Sequence, residues 1–280
     1  MALETVGDLE KALFSAFPRE DAEDWDHPGL SVGDRSASIG KVAFNLDQDV
    51  EAVVAASEAG CNVLVTHHPA FIKGGPAEFG PAGQEETSGP GRMVYEAASR
   101  GVNLIAMHTN ADRAVETREA YAKLLGCSCE GNFEHLIDPS RSASGAGLGA
   151  VLLPAWEGPH TLAALADRCL SAFGGMPRVW GDPERELTRV AVLNGSWSEP
   201  ELPRVCRSAG VECVVVGETR YHGCVDAQPG LSIVELGHDR SEFPIVDVLE
   251  RVVASQGVDA SRLVRLRCSE GNWWIPGTES

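Results

Sequence analysis

The chain has 280 residues, the length of one large domain or two closely packed ones, and 43% hydrophobic with 23% charged residues is an ordinary globular balance. Its 23 basic against 41 acidic residues give a net charge of −18, which argues against nucleic-acid binding as a main activity, since that needs clustered Lys and Arg. No run approaches the roughly 18 apolar residues that span a bilayer, and no basic-then-apolar leader opens the chain, so a cytoplasmic protein without a membrane partner is expected.

In chain order, the first clear unit is a β-branched run at 41–47, a helical stretch at 50–59, Gly60, and the apolar run Cys61–Thr66. That is a βαβ unit, with parallel strands and a right-handed crossover. Gly- and Pro-rich residues 73–91 read as an exposed loop, and 101–105 opens another buried strand. Residues 138–149 are rich in Ser, Gly and Ala, and 161–173 carries a helical pattern. The first unit then recurs: a strand at 189–195, a helix from Glu199, Gly210, a strand at 211–216, and a further strand at 230–234. A helix at 245–255 and a strand-like stretch at 261–268 close the chain.

Matching strands, matching order and matching Ala-Gly helix stops indicate a duplicated α/β protein, with pseudo-symmetric halves of mostly parallel sheets flanked by helices. The expected domains are residues 1–130 with 235–280, and residues 131–234, sharing one dinuclear metal site. Of eight cysteines only Cys127 and Cys129 lie close together, so the cysteines read mainly as small core residues rather than as a disulfide or thiolate framework.

Ligands of parallel α/β sheets sit beyond the carboxyl ends of strands. Those ends carry Thr66-His67-His68-Pro69, the stretch from Ala106 to Asp112, Gly217-Glu218, and the stretch from Gly237 to Glu242. Adjacent His67 and His68 point to opposite sides of an extended backbone, which suits two neighbouring ions. His238 and Glu242 share a face if a helix begins at Gly237 or just after, and Asp112 adds a carboxylate. These five N/O ligands suit two divalent ions drawn from Zn, Fe, Mn, Co or Ni. His108 is read as orienting Asp112 or touching substrate, with direct coordination the alternative. Glu218 and His222 read as general base and oxyanion partner, or as polar loop residues.

Five motifs occur in order: Trp25-Asp26-His27-Pro28-Gly29-Leu30, Thr66-His67-His68-Pro69, His108-Thr109-Asn110-Ala111-Asp112, Gly217-Glu218-Thr219-Arg220-Tyr221-His222, and Gly237-His238 to Glu242. Together they resemble the family labelled GTP cyclohydrolase 1 type 2 homologue, the NIF-three-like proteins, over nearly the whole chain. The resemblance implies a dinuclear centre on the same five residues and a toroidal homohexamer. His27-Pro28 and Glu218 depart from the family's usual residues, and neither change touches a ligand.

The functional expectation is a metal-dependent hydrolase acting on a nucleotide or other small phosphorylated compound, with Glu218, His108 or His222 moving the proton. The alternatives are a metal-handling or metal-dependent binding protein without turnover, motivated by the lack of an evident nucleophile or phosphate-binding Gly-rich loop, and a ring-forming scaffold.

Overall fold

The computed structural model describes residues 3–72, 75, 78–81, 89–138, 140, 145–197, 200–228 and 230–271. The chain forms two compact units, Met1–Ala111 with Ile245–Ser280, and Asp112–Pro244. The chain thus leaves the first unit after Ala111 and returns to it at Ile245. Helix packing decides the outgoing point: the helix after residue 114 packs on strands of the second sheet.

The first unit opens with α1 (Val6–Ala16). Thr5 starts it by a reciprocal cap, its hydroxyl accepting from Asp8 N at 3.2 Å while the Asp8 carboxylate accepts from Thr5 N at 3.1 Å. There follow β1 (Gly29–Val32), β2 (Lys41–Asn45), α2 (Val50–Glu58), β3 (Cys61–Thr66), α3 (Gly89–Arg100), β4 (Asn103–Ala106) and the single turn α4 (Thr109–Asp112). Most of the expected loop at 73–91 lies outside the described residues. The strands are apolar on both faces because both are covered. Ala43, Leu64 and Leu104 of three adjacent strands form one core with Ala52, Val53 and Ala56 of α2 and Met93 and Ala97 of α3.

The second unit holds α5 (Val115–Leu125), β5 (Cys127–Gly131), α6 (Glu134–Ile137), β6 (Ala150–Pro154), α7 (Leu162–Phe173) and β7 (Arg178–Trp180). It continues with β8 (Val190–Ser196), α8 (Leu202–Ser208), β9 (Cys213–Glu218), α9 (Tyr221–Ala227) and β10 (Ser232–Glu235). The expected start of α8 at Glu199 lies outside the described residues. Alternate residues of β8 and β9, Ala191 with Leu193 and Val214 with Val216, face a core shared with Cys206 of α8 and Cys224 and Ala227 of α9. Burial pushes both of these thiols above their ordinary value, which leaves them inert packing groups.

Helix α10 (His238–Ser255) begins in the second unit and ends in the first, where β11 (Leu263–Arg265) completes the sheet. The first sheet has the order β1-β4-β3-β2-β11, parallel except at β1. The second has the order β5-β6-β8-β9-β10-β7 and is mixed, with only the β8-β9-β10 trio parallel. The expectation of mostly parallel sheets therefore holds for the first sheet and not for the second. Among the described residues between β5 and β6 the one α-helix is the short α6, and strands joined without a full crossover helix pair antiparallel. The duplication itself is visible as two parallel trios, β2-β3-β4 and β8-β9-β10, in the same spatial order. Among the described residues no helix is long and apolar enough to cross a membrane.

Leu64 sits fully buried in the middle strand of the first trio. Leu64→Ala is expected to lower unfolding stability by about 2–5 kcal/mol, read from urea denaturation.

Candidate metal centre

Strand register brings the donors of the first unit together. Asn45 lies opposite Thr66, and Thr66 opposite Ala106, so β2, β3 and β4 end level and the residues after them leave the sheet side by side. Backbone bonds continue the alignment past the strands: His68 N donates to Leu46 O at 2.9 Å, and Met107 N to Thr66 O at 3.0 Å. Asp47, His67, His68 and His108 are thus neighbours by construction.

The chain bends at His67 and His68 instead of running extended, and Thr66 Oγ1 holds the bend by donating to His68 O at 2.7 Å. The two rings therefore do not diverge to opposite sides, as the extended-backbone expectation had it; their centroids are 5.0 Å apart. One ligand atom from each of His67, His68 and His108 lies within 4.8 Å of the others, a spacing at which three nitrogens can share an ion.

Each ring is fixed through Nδ1. His67 Nδ1 is 3.0 Å from Met107 O, His68 Nδ1 is 2.6 Å from Asp47 Oδ1, and His108 Nδ1 is 3.0 Å from Asp26 Oδ1. Carbonyl and carboxylate oxygens accept, so Nδ1–H donates and Nε2 is the nitrogen that carries the lone pair. Metal-binding histidines are oriented by this same arrangement. Burial raises the Asp26 carboxyl, but the hydrogen bond from His108, the charge that ring carries when protonated and the hydrogen bonds from Thr109 outweigh it and hold the group far below the ordinary carboxylate range. Asp26 thereby anchors His108 as an anion, accepting also from Thr109 N at 3.0 Å and Thr109 Oγ1 at 2.5 Å.

In the second unit the candidate donors are Asp112, His238 and Glu242. Asp112 and Glu242 are buried carboxylates, and an anion is stable at such a place only beside cations or hydrogen-bond donors. Asn194, at the end of β8, donates Nδ2 to Asp112 Oδ1 at 2.6 Å. His238 Nε2 is 3.3 Å from Glu242 Oε2, and His238 Nδ1 is 3.0 Å from Glu218 Oε1. The first turn of α10 is pinned to β8 through Ser241, whose hydroxyl accepts from Gly195 N at 2.9 Å and donates to His238 O at 2.7 Å. Tyr121 adds a bond from its hydroxyl to Ser241 O at 2.8 Å. Burial, reinforced by the charges of Asp112 and Glu242, pushes that hydroxyl well above its ordinary value, so it stays a donor.

The structure thus gathers His67, His68 and His108 in one unit and Asp112, His238 and Glu242 in the other. Asp112 takes its hydrogen bond from Asn194, and His108 stands with the candidate donors, its Nδ1 turned to Asp26. Glu218 is placed as the partner of His238. His222 is exposed at the start of α9, its ring 5.5 Å from that of Tyr221. Asp26, Asp47, Asn194 and Ser241 were missed as functional residues. Asp47 lies two residues beyond β2 and Asn194 two residues before the end of β8, within the runs 41–47 and 189–195 that the repeat marks; Asp26 lay inside a quoted motif but carried no spacing signal. Imidazoles and carboxylates without a thiolate fit a borderline divalent ion.

The sequence matches the Duf34/NIF3 (NGG1p interacting factor 3) family over residues 4–270. It is 29% identical over 266 residues to the GTP cyclohydrolase 1 type 2 homolog of Clostridium acetobutylicum, covering 92% of this chain and 94% of the relative. With the protein of that name from Streptomyces coelicolor the identity is 31% over 246 residues, covering 85% and 82%. Among solved structures, the Staphylococcus aureus hypothetical protein SA1388 matches with a TM-score of 0.80 at 22% identity, covering 98% of this chain and 100% of that one. Reduced HcgD from Methanocaldococcus jannaschii matches with a TM-score of 0.74 at 19% identity, covering 94% and 97%. Likeness at these identities speaks for the fold.

Gly195 has φ +66°, and a Cβ there would lie 2.6 Å from Glu242 Oε1. Gly195→Ala is expected to lower stability by about 1–2 kcal/mol from the left-handed backbone alone, and to displace Glu242, both readable by denaturation and crystallography. Asp26 gives a pH test. Its folded carboxyl ionises below its unfolded value, so the stabilisation is present at neutral pH and fades as acid protonates the group. Asp26→Asn is expected to destabilise the protein more at about pH 7 than at about pH 3.

Proposed function

This chain belongs to the Duf34/NIF3 family, and from that premise we propose that it binds two divalent metal ions. The donors are His67, His68 and His108 of the first unit and Asp112, His238 and Glu242 of the second. The activity we propose is hydrolysis of a nucleotide or other small phosphorylated compound. The observation that carries the reading is the common treatment of three histidines: each spends Nδ1 on an acceptor, and the three offer ligand atoms within 4.8 Å of one another.

Ions of the Zn, Fe, Mn, Co or Ni type would supply Lewis acidity and a bound water whose pKa falls toward about 7. The chain's own residues supply the rest. Asp26, Asp47 and the Met107 carbonyl hold three imidazoles in the Nδ1–H tautomer, and Glu218 holds a proton at His238 Nδ1. Glu218 is accordingly assigned to positioning His238. The centre also supplies the local positive charge that an anionic substrate needs in a protein of net charge −18. The name shared by the curated relatives, GTP cyclohydrolase 1 type 2 homolog, supports including a nucleotide in the proposed substrate class. A homohexamer, implied by the family resemblance, belongs to the same proposal and is checked by sedimentation equilibrium.

Elemental analysis of purified protein is expected to give about two equivalents of metal per chain, lost in the His67→Ala, His68→Ala double variant. Asp47→Asn is expected to weaken metal binding about 10–100-fold while keeping every ligand, measured by competition with a chromophoric chelator. Metal-loaded protein should turn over members of a nucleotide and phosphoester panel. Turnover no greater than that of the double variant sinks the hydrolase, and transfer of the metal to an acceptor protein would then favour metal handling.

A further inference from the structure

We propose that Trp25 is a stacking platform for a planar heteroaromatic ring, so that the compound served by the centre is a nucleotide and not a sugar phosphate. The proposal rests on the reading above and narrows its substrate class.

Among the described residues Trp25 is the exposed tryptophan, 49% accessible. Single exposed apolar side chains are common; this one is distinguished by where it is held. Its ring centroid lies 5.7 Å from that of His108, edge to face at 71°, beside the imidazole cluster. The loop bearing it is fixed on both sides of the indole by one residue, Thr109. Glu23 N donates to Thr109 Oγ1 at 2.9 Å, and Thr109 N and Oγ1 both donate to Asp26 Oδ2. The Asp26 side chain is fully buried. An indole so anchored is pre-organised, and a partner stacking on it loses little freedom of the protein in doing so.

Charge sets the orientation of what binds. Residues 20–34 contain Glu20, Asp21, Glu23, Asp24, Asp26 and Asp34 and no Lys or Arg, so this segment repels an anionic group and leaves the aromatic face as its attraction. The ring of the ligand therefore belongs at Trp25, with its phosphate turned toward the histidine cluster. A sugar phosphate satisfies the second half of that arrangement and leaves the indole in water.

The test is calorimetric titration of full-length, manganese-loaded protein with GMP, ribose 5-phosphate and inorganic phosphate, on the native chain, Trp25→Ala and Trp25→Phe. GMP should bind the native chain more tightly than ribose 5-phosphate. Trp25→Ala should weaken GMP roughly tenfold or more and leave ribose 5-phosphate unchanged, while Trp25→Phe keeps part of the GMP advantage. GMP should also quench indole fluorescence in the native chain and lose that effect in Trp25→Phe. Equal affinity for GMP and ribose 5-phosphate, or equal weakening of both by Trp25→Ala, overturns the stacking role and leaves the metal reading standing. Failure of the native chain to retain manganese overturns both.

Discussion

Asn45 beside Thr66 and Thr66 beside Ala106 are pairings of ordinary parallel strands, yet every donor of the first unit depends on them. They end β2, β3 and β4 at one level, so that the next residues of each strand emerge together. A one-residue slip would exchange the faces of a whole strand, moving His67 to where Thr66 now sits and away from the Met107 carbonyl. The slip is opposed by the apolar pattern of β3, whose Leu64 packs against helix residues on one side. Hydrophobic burial is thus what places the imidazoles.

Placement alone leaves the rings free to rotate, and the surrounding acceptors remove that freedom. The first unit uses Asp26, Asp47 and a backbone carbonyl; the second uses Glu218 for His238 and Asn194 for Asp112. The same solution therefore occurs in both halves of the duplication with different chemistry. In the first trio the ends carry imidazoles oriented by carboxylates. In the second the ends carry the orienting groups, Asn194 and Glu218, and two of the donors come instead from the first turn of α10. A duplicated fold that had kept identical ends would offer like groups twice; divergence leaves one half with imidazoles alone and the other with an imidazole and two buried carboxylates.

What the sequence disclosed follows from the strength of its periodic signals. The run Cys61–Thr66 reads as a strand and is one, and the helix expected from 161 begins there because the Thr161 hydroxyl accepts from Ala164 N. The start of α10 was harder. Apolar spacing begins at Ile245, after Pro244, a residue that usually ends a helix. The structure carries the helix through Pro244 and back to His238, because Ser241 and Tyr121 hold the polar first turn by hydrogen bonds that no periodicity encodes. Asp26 was opaque for a related reason. It reaches His108 from far away in sequence, and only the folded loop shows that Thr109 and His108 converge on it. The antiparallel β6 and β7 escaped because antiparallel partners leave no mark as regular as a βαβ unit.

Charge makes the arrangement intelligible as more than packing. Asp112 and Glu242 are buried in a protein whose net charge is −18, and burying two more anions is opposed by both desolvation and the global field. In the proposed centre, two divalent ions would bring four positive charges to a place that holds these two ligand carboxylates and the orienting carboxylates Asp26, Asp47 and Glu218, so the ions are what would let it accept a further anion. The acidic surface then acts as a filter, because an anion is repelled everywhere except where the ions outweigh the field. Trp25 lies at the edge of that exception, on a segment that is itself acidic. On the proposed reading, a ligand accepted there offers an uncharged face to the segment and a charged one to the ions, as a molecule with a ring at one end and an anion at the other does.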